Sequence, residues 1–132
     1  MNPFIIAVLA AWLNPAVTQD NIAGTICRHG WTATVRPPLA YTEKLKRAQM
    51  RSLGIKVSMR LYEEDHFIPL ELGGNPVSVA NLWLQAWHGA CSAAIKDIDE
   101  RVLNRKVCRG QLALAQAQLL ITQKWLHCKN PQ

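Results

Sequence analysis

The sequence predicts an α+β fold in which a β-hairpin runs directly into a helix, with additional helices flanking this core. Three observations predict it. The stretch from Asp65 to Leu70, with Phe67 and Ile68 inside it, has the length and apolar character of a strand. Gly73-Gly74-Asn75-Pro76 supplies turn chemistry and Asn81 to Leu84 begins a returning strand, so the pair forms a hairpin with a long loop rather than a tight two-residue turn. A helix from about Ser92 to Arg105 follows at once, with Ile95, Ile98, Val102 and Leu103 at the spacing of a buried stripe. With 132 residues, about half of them hydrophobic, the chain suits one domain, residues 14–132, with its own core. That composition excludes a disordered chain.

The other elements follow from local signals. Phe4 to Leu13 is an apolar run too short to span a bilayer, and no other stretch could cross one. It has the length of a signal-peptide core, but no Lys or Arg precedes it and no small-residue cleavage site follows. Residues 1–13 therefore read either as a leader or as an N-terminal helix. Asn14 to Thr18 is a turn-like break, and Thr18 or Asp20 caps a short helix through Ile26. Gly30 to Val35 alternates as a short strand, ended by Arg36-Pro37-Pro38. Thr42 caps a helix to about Leu53, stopped by Gly54. Beyond the hairpin and its helix, Gly110 breaks the chain before a last helix from Gln111 to about Trp125, with Leu112, Leu114, Leu119, Leu120 and Ile121 as its apolar surface.

A net charge of +6 favours polyanionic partners such as nucleic acid or an anionic membrane surface. The basic residues gather on helical faces. Lys44, Arg47 and Arg51 fall at i, i+3 and i+7, while Arg101 and Arg105 lie one turn apart and Arg109 extends them. Such a stripe either contacts phosphates or is the solvated side of an amphipathic helix. The four cysteines, Cys27, Cys91, Cys108 and Cys128, form no C-x-x-C pair, which excludes a zinc knuckle or ribbon. Their even count and wide spacing suit one or two disulfides in an exported protein, or buried thiols in a cytosolic one.

Against this basic background, Glu63-Glu64-Asp65-His66 concentrates negative charge, which suits a site for a cation. A histidine at its ordinary pKa is a general base near neutral pH. A carboxylate beside it is a hard oxygen ligand for Mg2+. With a phosphodiester in place, His66 would take a proton from water while the metal stabilises the leaving oxygen. Asn81, on the returning strand, can fix either the imidazole or the hairpin loop by a hydrogen bond. The bland counterparts are plain: His66 as a hydrogen-bonded core histidine, Glu63 and Glu64 solvated or paired with arginines, and His29 and His127 on the surface. Trp83 and Trp87 read as core and rim packing ahead of base stacking.

At Asp65-His66, Pro69-Leu70, Leu72-Gly73-Gly74 and Asn81-Leu82, with fifteen positions from His66 to Asn81, the segment resembles the HNH endonucleases and their ββα-metal fold. The resemblance extends to Asn14-Pro15-Ala16-Val17-Thr18, Thr25-Ile26-Cys27, Gly30-Trp31-Thr32, Val35-Arg36-Pro37-Pro38, Tyr62-Glu63-Glu64, Lys96-Asp97 and Val107-Cys108, as in an exported bacterial subgroup of HNH-like proteins. It implies His66 as general base, Asp65 as metal ligand and Asn81 as the central, mainly structural residue of the catalytic set. The family's third residue, a His or Asn on the helix, falls at Ala90 or Cys91, neither of which is a suitable ligand. His88 before the helix or Asp97 within it stands in, or no protein ligand does. Lys96 would hold a phosphate. The resemblance also implies a Cys27–Cys108 disulfide, leaving Cys91 and Cys128 as a second pair.

The function expected on these grounds is a metal-dependent endonuclease that hydrolyses DNA phosphodiester bonds with limited sequence specificity. It would use a divalent ion, Mg2+ ahead of Mn2+, Ni2+ or Zn2+. Lys44, Arg47, Arg51, Lys96, Arg101 and Arg105 would contact the nucleic acid. The mature protein would act off the membrane as a monomer or homodimer, secreted or periplasmic, or otherwise cytoplasmic. The rival is a catalytically inactive HNH-like module that binds nucleic acid or plays a structural part, favoured by the missing third ligand.

Overall fold

A proline inside the apolar run decides where the hairpin lies. The strand expected over Asp65–Leu70 is instead β1, Tyr62–His66, paired antiparallel with β2, Leu82–Ala86, in the register Glu64↔Leu84 and His66↔Leu82. Pro69 has no N–H to give to a ladder. Phe67, Ile68 and Leu70 therefore leave the sheet and become core. The returning strand begins one residue later than expected, at Leu82, after a 3-10 turn over Val79–Asn81.

The structure, a computed structural model, describes residues 10–129. The leader or helix expected over Phe4–Leu13 lies outside the described residues except for 10–13. No helix among the described residues is long and apolar enough to cross a membrane. The fold is α+β: the two-stranded sheet is accompanied by α1 (Trp31–Val35), α2 (Leu39–Ser52), α3 (Ala93–Cys108) and α4 (Leu114–Lys129). Successive β1 side chains alternate between the sheet's two faces. Asp65 reaches Lys96 on α3, whereas Glu64 lies against Gln49 and Lys46 on α2, so the sheet sits between these two helices.

Several elements differ from expectation for identifiable reasons. Gly30–Val35, expected as a strand, is the short helix α1, entered through Gly30 at φ +79° and ended at Arg36, which the following proline holds extended. Five alternating residues cannot distinguish the two periods, and only Trp31 is buried. α2 starts at Leu39 rather than Thr42, because Pro37-Pro38 presets its entry, and the Thr42 hydroxyl donates back to the Leu39 carbonyl at 3.1 Å. The break at Asn14–Thr18 and the helix after it form as a 3-10 helix over Gln19–Gly24 that ends short of Ile26, with the Thr18 N–H donating to Asn21 Oδ1 at 2.9 Å. α4 begins at Leu114 and reaches Lys129, with Leu114 and Ile121 buried as expected, Leu112 partly buried against the core, and Leu119 and Leu120 exposed.

The largest correction concerns α3, which is capped by the Ser92 hydroxyl accepting from Ile95 N. Of its expected stripe only Leu103 packs on the core; Ile95, Ile98 and Val102 face outward, and the buried face carries Ala93, Lys96, Glu100 and Val107. A lysine and a glutamate thus occupy core positions that a count of apolar residues would never assign.

The core runs from Trp12 through Phe67 to Trp83, whose rings meet edge-on with centroids 5.1 and 5.8 Å apart, and on to Val107, Ile121 and Trp125. Disulfides Cys27–Cys108 and Cys91–Cys128 brace it, with sequence separations of 81 and 37. Each contributes about 4 kcal/mol on a chain-entropy estimate, and less in combination because the loops overlap. Two disulfides suit an oxidising compartment.

The hairpin loop is held by Asn81, which is fully buried. Its Oδ1 accepts from Ile68 N at 2.8 Å, and its Nδ2 donates to the carbonyls of Ile68 and Asn75, both at 3.0 Å. Gly74 lies so close beneath that a Cβ there would collide with the Ile68 carbonyl oxygen. Replacing Asn81 with Ala strands the Ile68 amide inside the protein. We expect Asn81→Ala to lower unfolding free energy by about 2–4 kcal/mol, read by urea denaturation with the disulfides intact.

Candidate active site

Lys96 stands at the centre of the site, with no exposure to solvent. Its Nζ donates to Asp65 Oδ2 at 3.0 Å, Glu100 Oε1 at 2.9 Å and the His66 carbonyl at 2.9 Å, which uses all three ammonium protons. Burial alone would lower the Lys96 pKa, but the charges of Asp65 and Glu100 outweigh it and raise it, so the ammonium persists. Burial also pushes Glu100 up to about 9, against the pull of Lys96. The expectation that Lys96 holds a phosphate is corrected: the ammonium is enclosed and spoken for.

His66 closes β1. Its Nε2 lies 2.8 Å from the Pro76 carbonyl oxygen, and since a carbonyl only accepts, Nε2 carries the proton and Nδ1 carries the lone pair. Asn81 fixes the loop rather than the imidazole, but it does so at Asn75, beside the carbonyl that orients His66. Asn75 Oδ1 accepts from the amides of Val77 and Ser78, completing a rigid support. Burial lowers the pKa of His66 below the ordinary 6.5, so the ring is neutral at physiological pH.

His66 borders a cleft of about 350 Å3. Its walls bring Glu63, Asp65, Glu71, Asp97 and Glu100 together with Arg36 and Arg101. Counting Lys96 beneath the floor, five carboxyl groups meet three cations, an excess that burial makes costly. The protons relieve it. Glu63 is raised to about 7, by burial first and then by the charges of Asp65 and Asp97, and Glu71 is raised by burial. On the opposite face of the sheet Glu64 is also raised to about 7 by burial, with both carboxyl oxygens shut off from solvent.

The structure brings together part of the expected set. Asp65, His66, Asp97 and Arg101 line the cleft. His88 is exposed in the turn after β2 and does not line it. Lys44, Arg47 and Arg51 lie on the outer side of α2, where Arg47 pairs with Glu43 at 3.5 Å, and Arg105 lies beside the Cys27–Cys108 disulfide. Arg36, Glu71 and Glu100 were missed. Glu100 alone had a signal, its i, i+4 spacing from Lys96.

Among the described residues, the one group of three metal-ligating side chains with donor atoms within 4.8 Å of one another is Cys91, His127 and Cys128. Asp65, His88 and Asp97 do not converge so closely. The cysteine–histidine group could hold a metal ion only with Cys91 and Cys128 reduced. As found, their sulfurs bond to each other, leaving His127 the one free donor. Comparison of the chain with protein-family models, characterised proteins and solved structures finds no match to any of them.

Two substitutions probe this electrostatic arrangement. Lys96→Met leaves Asp65 and Glu100 without their cation and should cost about 3–5 kcal/mol of unfolding free energy in urea melts. For Glu64, a folded pKa near 7 above the ordinary 4.5 means stability is lost as pH rises from about 4.5 through 7. Glu64→Gln should flatten this fall by roughly 1–2 kcal/mol, discounted for the partial exposure of the side chain, when urea melts at pH 5 and pH 8 are compared.

Proposed function

We propose that the protein is an HNH-like endonuclease of ββα-metal type that hydrolyses phosphodiester bonds of DNA with limited sequence specificity. The observation that carries this reading is His66. It is neutral, oriented through Nε2 by a backbone carbonyl, with an unprotonated Nδ1 and a place on the wall of an acidic cleft. A general base needs that protonation state and that fixed orientation.

In this reading His66 Nδ1 takes the proton of the attacking water. Arg36 and Arg101 bind the phosphate oxygens as charge builds on them. Asp65 and Asp97, with Glu63 beside them, would hold a divalent cation, Mg2+ ahead of Mn2+, Ni2+ or Zn2+. The donor set fits a hard cation, and the surplus of carboxyl groups over fixed cations supplies the charge for it. Mg2+ keeps several waters, so carboxylates that do not all touch one point can still retain it. Bound there, the ion would supply charge neutralisation at the phosphate and the leaving oxygen. Asn81 and Lys96 act as positioning residues, one through the loop and the other through Asp65 and the His66 carbonyl.

One observation favours a second reading, a nucleic-acid-binding or structural module without catalysis. Lys96 already neutralises Asp65. Cleavage assays on supercoiled plasmid and on a single-stranded DNA circle separate the two readings. Wild type with Mg2+ or Mn2+ should nick DNA, EDTA should stop it, and His66→Ala should lose at least about 100-fold in rate. The acid limb of the pH profile should lie below 6.5, because activity disappears as pH falls through the lowered His66 pKa. Equal silence of wild type and His66→Ala with every metal, while DNA is still retarded in a gel, would establish the non-catalytic reading.

A further inference from the structure

A second cleft, of about 480 Å3, opens between α2 and the hairpin and shares Arg36, Glu63 and His66 with the first. The shared residues make the two clefts one path across His66, from Asp97 and Arg101 on the α3 side to Lys46, Arg60 and Trp87 on the α2 side. The cations of the second cleft are Arg36, Lys46 and Arg60. Of its carboxyl groups, Glu43 pairs with Arg47 at 3.5 Å, and Glu63 and Glu64 are partly buried.

Trp87 is the unusual member. Trp83 is in the core, whereas Trp87, at the rim, is 38% exposed and lines this cleft together with Leu39. Its backbone N–H donates to the Leu61 carbonyl at 3.1 Å, which anchors the residue at the open end of the hairpin. An anchored, half-exposed indole among three cations is what a stacked base with flanking phosphates requires.

His66 sets the geometry of approach. It is only 5% exposed, so a phosphodiester must descend into the path to meet it. A duplex presents its phosphates on a stiff outer surface and keeps its bases stacked inside. A single strand can bend into the path, placing an unpaired base on Trp87 at the open end of the hairpin and a phosphate further along at His66. We propose that the joined clefts form a binding path for single-stranded nucleic acid, with Trp87 as the base platform and Arg36, Lys46 and Arg60 as phosphate contacts. This rests on the reading of His66 as the hydrolytic centre and names the substrate class for it.

The test is equilibrium binding by the full-length His66→Ala protein in EDTA, which removes cleavage from the measurement. Fluorescence anisotropy compares a labelled oligothymidylate of about 12 nucleotides with a duplex of similar length at about 0.1 M salt. The strand should bind about 10-fold or more tightly than the duplex, and a further Trp87→Ala should weaken strand binding about 10-fold with duplex binding unmoved. Trp87→Phe should restore most of the loss. Replacing both Lys46 and Arg60 with Ala should weaken strand binding and flatten its salt dependence, giving a second readout from exposed or half-exposed positions. Equal affinity for strand and duplex, no binding at all, or a strand affinity indifferent to Trp87→Ala overturns the proposal. Failure to cleave either plasmid or single-stranded DNA removes the hydrolytic reading but leaves this binding result intact, so the two fail separately.

Discussion

An ammonium with no access to water has to be neutralised where it sits, and Lys96 imposes that constraint on everything around it. Three acceptors must lie about 3 Å from one atom: the carbonyl of His66 at the end of β1, the Asp65 side chain and Glu100 on the next turn of α3. Meeting this condition sets the rotation of α3 about its axis, the distance of α3 from the sheet and the orientation of Asp65. It also ties down the His66 backbone. The outward turn of Ile95, Ile98 and Val102 is the same fact seen from the other side of the helix. Burying a charge costs several kcal/mol before its partners offset it, so the arrangement purchases little stability over an apolar core of equal volume. What it confers is a single permitted register between helix and hairpin at the point where the acidic cleft opens.

How much of this was legible in the sequence follows from which forces act locally. The hairpin, its long loop, the helix after it and the break at Gly110 were visible because turn residues and caps act over a few positions. Asp65, His66 and Asp97 were singled out as chemistry-bearing, and all three border the cleft. The face of α3 was not visible, because hydrophobic periodicity assumes that charges point outward, and here two of them are satisfied by each other and by β1. The cations that line the clefts were not visible for a related reason. Lys44, Arg47 and Arg51 share a helical face by spacing, but only the packing of α2 against the sheet decides that Lys46 borders a cleft and they do not. Arg36 and Arg60 sit in connecting segments, where no periodic signal exists.

The acidic cleft and the basic surface are two answers to one electrostatic problem. The chain as a whole is cationic, which draws a polyanion to it from a distance. Near His66 the sign reverses, and carboxyl groups outnumber fixed cations. A polyanion approaching alone would meet repulsion at the last few ångströms. Proton uptake by Glu63, raised to about 7, softens that repulsion, and a divalent ion would invert it. In the proposed reaction, the choice of the bond to be cut would follow from this change of sign and would need no base-reading element.

The disulfides have a consequence beyond rigidity. Cys27–Cys108 and Cys91–Cys128 interlock, so every peptide bond from residue 27 to residue 128 lies within at least one closed loop. A protease that severs the chain once anywhere in that span releases nothing: the two pieces stay joined through sulfur. Even a nick in the exposed connection between α3 and α4, which lies inside the second loop alone, leaves α4 attached through Cys128 to the segment leading into α3. In surroundings rich in proteases the molecule can accumulate a cut and remain one covalent body.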